Sequence, residues 1–314
     1  MAKILVTGGA GFIAGALAER LSRNPANEVV VVDNLVTGKS ENTILGRNNL
    51  HFIKCDVNHF EDISGVFFSG NFDYVFHYAA LVGVQRTLEN PVKVLDDING
   101  IKNVLNLSKN TGVKRVYYSS SSEVYGEPVE IPQHELTTPL NSRLPYAIVK
   151  NVGEAYLRAY QQEYGLEYTI LRFFNTYGPG QSEDFVVSRF IRAALNGDPL
   201  MVYGDGLQTR TFLFIDDNIE ATIRIFEDQK YLNDVVNIGS DIEIHIIDLA
   251  AAVIQSASSM SVIKHLPPLK EGDMTRRKPD ITKMKNVLKR ELMPLNEGLA
   301  SVIEAWKSKI HVRD

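Results

Sequence analysis

The chain contains a single cysteine, Cys55, among its 314 residues. One thiol forms no intrachain disulfide and builds no thiolate metal cluster, so the composition suits a reducing compartment. Apolar runs such as Val29 to Val32 fall far short of the ~18 residues that span a bilayer. The seven histidines show no ligand spacing such as H-x-x-x-H, and no metal is expected. Basic residues are outnumbered, 33 against 38 acidic ones, for a net charge of −5. That balance argues against broad nucleic-acid binding but permits a local cationic pocket. Internal repeats, low-complexity tracts and long charge blocks are missing as well. Lys3 and the apolar residues after it could pass for a signal peptide. Gly8, Gly9 and Gly11 interrupt that run, and Glu19 and Arg20 stand where a cleavage site is expected. What remains, 44% hydrophobic and 23% charged, is ordinary globular usage. The expectation is a cytoplasmic protein with neither membrane nor nucleic acid as partner.

Short β-branched runs alternate with amphipathic stretches through the first half. Lys3 to Thr7, Glu28 to Asp33, His51 to Cys55, Tyr74 to Phe76, Arg115 to Ser119 and Tyr168 to Phe173 read as buried strands. Gly11 to Leu21, Asn99 to Asn110 and Tyr146 to Tyr164 read as helices. Strands apolar on both faces, alternating with helices, predict a parallel sheet covered on both sides. Right-handed crossovers make it α/β and doubly wound. From Asn175 onward Pro179, Gly180, Pro199, Gly204 and Gly206 punctuate shorter elements. The expected division is 1–174 and a smaller region over 175–314, with segments near 205–240 returning to the first.

The first strand runs into Gly8-Gly-Ala-Gly11-Phe-Ile-Ala14, and a helix pattern begins at once. Glycines at that turn let backbone N–H groups approach a pyrophosphate, which the positive helix N-terminus then holds. The next strand ends at Asp33, nineteen positions past Ala14 (33 − 14). A carboxylate there accepts from an adenosine ribose and repels a 2′-phosphate, so the dinucleotide predicted is NAD rather than NADP. Farther on, Tyr146-Ala-Ile-Val-Lys150 sets a phenol and an ammonium on one helix face. A neighbouring cation favours the phenolate, and the hydroxyl-rich stretch Ser119-Ser-Ser-Ser122-Glu123-Val-Tyr-Gly126 can face the pair.

With these pieces in order, the chain resembles an extended short-chain dehydrogenase/reductase of the NAD-dependent epimerase/dehydratase family, whose members act on nucleotide sugars. Cys55-Asp-Val57, His77 to Ala80, Arg172 to Gly178, Tyr203 to Asp217 and Val236-Asn-Ile-Gly239 extend the match. Ala14 departs from the usual glycine. The resemblance implies a Rossmann-type cofactor domain and a smaller substrate-binding domain. It implies NAD contacts from Gly8, Gly11, Phe12, Ile13, Asp33, Asn34, Asp56, Val57, Ala79, Ala80, Asn99, Ser119, Tyr146 and Lys150. Ser121, Tyr146 and Lys150 would form the catalytic core. Tyr146 would take the proton of a sugar C4 hydroxyl as hydride leaves, with Lys150 depressing the tyrosine pKa. It also implies a homodimer, built on the helices over Pro91 to Asn110 and Tyr146 to Tyr164, with Val94, Leu95, Tyr156 and Tyr160 on their outer faces.

The branch after C4 oxidation rests on few residues. Glu123 resembles the glutamate of GDP-mannose dehydratases and UDP-glucuronate decarboxylases, and could remove a C5 proton. Arg277, in Arg276-Arg-Lys-Pro-Asp280, resembles the arginine of an R-K-P motif in the decarboxylases and suits a hexuronate carboxylate or a diphosphate. Ser122, Asn175 and Arg210 match substrate contacts of the family. Arg189 reads as solvent-facing and His77 as structural. The expected reaction is C4 oxidation followed by elimination at C5/C6, dehydration slightly ahead of decarboxylation, with internal recycling of NAD. A 4-epimerase is the alternative. A non-catalytic dinucleotide sensor is disfavoured because Ser121, Tyr146 and Lys150 are all present.

Overall fold

The computed structural model describes residues 2–38, 46–268 and 275–311. The first half alternates as the patterning predicts: β1 (Ala2–Thr7), α1 (Phe12–Ser22), β2 (Asn27–Asp33), β3 (Leu50–Lys54), α2 (Phe60–Gly70), β4 (Tyr74–His77), α3 (Val84–Glu89), α4 (Pro91–Thr111), β5 (Arg115–Ser121), α5 (Pro145–Tyr164) and β6 (Glu167–Phe173). Shorter elements follow: β7 (Thr176–Tyr177), α6 (Val186–Asn196), β8 (Leu200–Tyr203), β9 (Thr209–Thr211), β10 (Leu213–Phe214), α7 (Ile215–Glu227) and β11 (Asp234–Ile238). The chain continues through β12 (Glu243–His245), α8 (Ile246–Ala257), β13 (Ile263–Leu266), α9 (Thr282–Leu288) and α10 (Leu295–His311).

Seven strands form one parallel sheet in the order β11-β6-β5-β4-β1-β2-β3. The order reverses at β1, which is where a doubly wound sheet opens a crevice at its carboxyl ends. The α/β, Rossmann-type expectation is met. Each face of the sheet has its own core. One gathers Ile4, Val6, Leu17 and Val29 with α6 and α7 residues; the other gathers Leu5, Val32, Val75 and Val116 with α2, α4 and α5 residues. Successive strand residues thus enter opposite cores, the period-2 consequence of the pleat.

Two expectations about surfaces are corrected here. Val94 is 0% exposed and packs inward under α4, while Val92 and Leu95 are exposed. Its position on the helix puts it on the core-facing stripe, four residues before Ile98, which also packs on that core. Arg189 is half-buried rather than solvent-facing. Its guanidinium lies 5.7 Å from the Tyr203 ring, and its Nε is buried with no hydrogen-bond partner. Helix α6 lays its other residues, Val187, Phe190 and Ile191, into the core, and the arginine stem is carried in beside them.

No described helix is long and apolar enough to cross a membrane. Among the described residues no cluster of His, Cys, Asp and Glu could hold a metal ion.

Candidate active site

A cavity of about 720 Å³ opens at the carboxyl ends of β1, β2, β4, β5 and β6. Its inner end is the first strand-to-helix turn. Gly8 adopts φ +73°, and a Cβ there would meet the Ala79 backbone at 2.7 Å. Only glycine fits so close an approach. The Gly11 N–H donates to the Gly8 carbonyl at 2.9 Å, and α1 starts one residue later. That helix has no side-chain cap and no acidic residue in its first turn, so its N–H groups and positive end are left for an anion. The residues present therefore fit a dinucleotide pyrophosphate.

Asp33 stands at the end of β2 and lines the cavity. Its carboxylate accepts from the Ala10 N–H at 3.1 Å and the Leu35 N–H at 2.7 Å, which ties the glycine turn to the next loop. Burial raises its pKa, and the two backbone N–H bonds oppose the rise. Asn34 donates to Asp56 at 2.9 Å, and both line the cavity with Val57. Ala79 and Ala80 line it too, and the Tyr78 and Ala79 N–H groups donate to the Thr7 hydroxyl at 3.1 Å. His77 bonds the same hydroxyl at 2.8 Å. Burial, aided by the nearby Lys150 charge, pulls its pKa down to about 3. It is a neutral structural imidazole. Phe12, Ile13 and Asn99 also line the cavity.

The four serines that end β5 and open the turn after it are separated by their partners. Ser119 accepts from the Lys150 ammonium at 3.3 Å. Ser120 turns to Glu154, donating at 2.6 Å. Ser121 accepts the Glu123 N–H at 3.2 Å, capping the short 3-10 turn Ser122–Tyr125, and hydrogen-bonds Tyr146. Ser122 lines the cavity beside Glu123. The predicted core of Ser121, Tyr146 and Lys150 is thus brought together.

Its electrostatics differ from the expectation in one respect. Tyr146 is held above the usual phenol range, first by burial and then by the Glu123 and Asp97 charges. Ser121 and Arg277 pull the other way without prevailing. The expected depression by Lys150 is not present, because its ammonium sits 5.7 Å from the Tyr146 ring centre and is engaged with Ser119. Lys150 is 3% exposed. Burial draws its pKa down to about 8 against the raising effect of Asp97.

Arg277 reaches this site across a long stretch of sequence. A parallel bridge joins Gln133 to Pro279, with hydrogen bonds of 2.7 Å from the Gln133 N–H to the Lys278 carbonyl and 2.8 Å from the Asp280 N–H to the Gln133 carbonyl. The arginine side chain, 6% exposed, then pairs with Glu123 at 3.7 Å inside the cavity. Asn175 lines the cavity and donates to the Thr211 carbonyl at 3.0 Å. Arg210 does not line it. Its guanidinium is buried and donates to the Thr209 carbonyl at 2.7 Å, one residue back. Asp97, which the sequence reading did not single out, lines the cavity from α4. No motif marks it, since the preceding Asp96 is an equally plain helical acid.

Three kinds of comparison bear on this site. The family model described as "NAD dependent epimerase/dehydratase family" matches residues 4–239. UDP-N-acetyl-alpha-D-glucosaminuronate decarboxylase of Bacillus cytotoxicus is 37% identical over 311 residues, covering 91% of this chain and 91% of that protein. UDP-glucuronic acid decarboxylase 6 of Arabidopsis thaliana is 35% identical over 325 residues, covering 99% of this chain and 90% of that one. The solved UDP-glucose 4-epimerase with UDP-glucose from Thermotoga maritima superposes with a TM-score of 0.92 at 33% identity, covering 98% of this chain and 99% of that one.

Proposed function

The chain belongs to the NAD-dependent epimerase/dehydratase family, and from that premise we propose that it decarboxylates a UDP-linked hexuronate through a 4-keto intermediate. The observation that carries the reading is Arg277, a buried guanidinium inside the cavity whose partner Glu123 is itself reachable from the cavity. A guanidinium pairs bidentately with a carboxylate, the group that separates a hexuronate from a neutral hexose. The decarboxylase relatives support the same branch. This moves decarboxylation ahead of the dehydration that the sequence slightly favoured.

Gly8, Gly11 and the α1 N-terminus would hold the NAD pyrophosphate, Asp33 the adenosine ribose, and Lys150 the second ribose; a bound NAD would supply reversible hydride-acceptor chemistry at C4. Ser121 orients the C4 hydroxyl, and Tyr146 takes its proton. The phenol's raised pKa makes that step dependent on added positive charge in the filled site. The resulting C4 ketone is β to the C6 carboxylate. The C5–C6 bond breaks as carbon dioxide departs, and its electron pair enters the C4–C5 enolate, whose oxygen the Tyr146 and Ser121 hydroxyls stabilise. C5 then takes a proton from water in the cavity, and Tyr146 gives its proton back to the C4 oxygen as the ketone is reduced. Arg277 holds the carboxylate in place until the bond breaks, and Glu123 keeps that guanidinium aimed at the cavity.

Incubation with UDP-glucuronate and UDP-N-acetylglucosaminuronate tests the reading, with products read by mass and NMR. Loss of one carbon dioxide is the expected result. Unchanged mass with altered ring couplings makes the protein a 4-epimerase instead. A second reading, 4,6-dehydration, is favoured by the placement of the Glu123 carboxylate beside Tyr146, and is scored by loss of one water from a neutral UDP-hexose. A homodimer through α4 and α5, which expose Val92, Leu95, Ile148 and Tyr164, belongs to the same proposal and is read by light scattering.

A further inference from the structure

Arg277 sits on a stretch, Thr275 to Asp280, that belongs to neither a helix nor a regular strand. Its ends are tied to the rest of the fold through backbone groups. The Thr275 carbonyl accepts the Thr209 N–H at 3.2 Å, and the Thr275 N–H donates to Glu127 at 3.3 Å. Beyond the arginine, the Gln133 bridge and the Asn237 amide, which donates to the Asp280 carbonyl at 3.2 Å, hold the other end. Between these ties the side chains alternate as in extended chain. Arg276 is exposed, Arg277 buried and Lys278 half-buried. The first and third therefore lie on one side, and the second enters the cavity from the other.

Both outward side chains converge on one carboxylate. Arg276 donates to Glu243 from Nε at 2.6 Å and from a terminal nitrogen at 2.7 Å, one bond to each oxygen. The Lys278 ammonium stands 3.7 Å from the same carboxylate. Glu243 is itself anchored: it starts β12, opposite Thr211 of β9, and accepts the Thr209 hydroxyl at 3.1 Å. These partners, Arg276 first among them, hold its carboxyl below the usual carboxylate range against a lesser rise from burial. Ion pairs so close to solvent contribute little to stability. Two-pronged arginine–carboxylate geometry does fix direction, and here the residues it fixes flank the arginine of the site.

We propose that Glu243 is a positioning residue for Arg277: by gripping Arg276 and Lys278, its carboxylate fixes the backbone on both sides of the arginine and so aims the guanidinium into the cavity. The Glu123 contact at 3.7 Å is longer than a hydrogen bond, and leaves the direction of the guanidinium to be set by other groups as well. Glu243 does not line the cavity, so it acts through its two neighbours and not on a bound molecule. Its consequence for catalysis rests on the proposed function, in which Arg277 receives the substrate carboxylate. The grip on the backbone does not.

The position of Arg277 is read first, without substrate, by phenylglyoxal labelling of the full chain and mass spectrometry. Arg277 is 5% exposed and Arg172 1%, so both resist the reagent in the wild type, and Arg172 reports on the fold. In Glu243→Ala, labelling of Arg277 should rise severalfold while Arg172 stays protected. Glu243→Gln, which keeps one acceptor but no charge, should give a smaller rise. Added to Arg276→Ala/Lys278→Ala, Glu243→Ala should change nothing further, because it then has nothing to grip. Unmoved Arg277 labelling in Glu243→Ala overturns the proposal, and so does a rise shared with Arg172, which makes Glu243 a support of the fold. Should Glu243→Ala not fold, Arg276→Ala is read in the same way, with the same expected and overturning results. Kinetics give the second readout. KM for the UDP-hexuronate should rise about fivefold in Glu243→Ala with kcat within about twofold, since a misaimed Arg277 loses substrate binding first. A fall in kcat with KM unmoved overturns the proposal. A wild type that turns over no UDP-hexuronate tells against the proposed function, while the labelling still decides the role of Glu243.

Discussion

Glu154 and Arg172 meet through two hydrogen bonds of 2.8 and 2.7 Å, with both side chains at most 1% exposed. Glu123 and Arg277 meet at a 3.7 Å contact, with the glutamate side chain 22% exposed to the cavity. The two pairs are the same chemistry put to different ends. In the first, Ser120 and Arg158 complete the carboxylate, while Arg172 also donates to Tyr125 and the Glu135 carbonyl. That network joins β5, β6, α5 and the Tyr125–Asn237 contact to β11. In the second, the contact is long and the carboxylate wet, so a substrate anion can enter it. A buried ion pair whose donors and acceptors are all spoken for is architecture; one left loose at a cavity is available for binding.

The largest expected effect breaks the closed pair. Arg172→Met leaves the buried Glu154 with only the partly exposed Arg158 as counter-charge, and should cost about 3 kcal/mol in urea unfolding. The double variant Glu154→Leu/Arg172→Met should recover much of that loss, because two well-packed apolar side chains replace a desolvated pair. If the double variant unfolds as readily as the single one, the network matters for more than its charges.

This contrast also marks how far the sequence could be read. The β-branched runs of β1 and β2, and the alternation with helices, made the parallel sheet legible, because burial on both faces forces apolar runs. The glycine turn and Asp33 were legible because close backbone approach and ribose recognition demand particular residue types. Arg172 belonged to the same stretch as Asn175, and nothing in the spacing shows that its charge is spent on Glu154. That partner lies eighteen residues away on α5. Arg277 and Glu123 carried family resemblance, but their pairing depends on the bridge between Gln133 and Pro279, a non-local contact invisible to periodicity. Asp97 was unreadable for the same reason: its carboxylate is held in the cavity wall by Leu81 and Asn58, which only the fold brings to it.

The next effect falls on the open pair. Arg277→Ala should cost clearly less stability than Arg172→Met, since Glu123 is 22% exposed and can turn to water. It should lower kcat/KM for the hexuronate substrate by roughly 30-fold, or about 2 kcal/mol. A stability loss as large as that of Arg172→Met would erase the distinction between the pairs.

A smaller change is expected in the cofactor half. Asp33→Asn keeps an acceptor for only one of the Ala10 and Leu35 N–H groups and removes the charge that a 2′-phosphate would meet. The preference for NAD over NADP should narrow by ~tenfold, about 1.4 kcal/mol. Isothermal titration with both cofactors measures it, and an unchanged ratio would move the selectivity elsewhere.

The smallest expected effect is none, and it separates the two halves of the cavity. Burial draws Lys150 down to about 8, so kcat/KM should fall on the alkaline side as the ammonium is lost near that pH. The sign follows from the function assigned: the protonated form is the active one, so activity is full below the midpoint and lost above it. Arg277 is not among the groups that act on Lys150, whose shift comes from burial against the Asp97 charge. Removing Arg277 should therefore lower the whole pH profile while leaving its alkaline midpoint where it was. A midpoint that moved with Arg277→Ala would mean that the loose pair and Lys150 titrate as one system. The cavity would then be a single electrostatic unit, and the division between a fixed cofactor half and an open substrate half would fail.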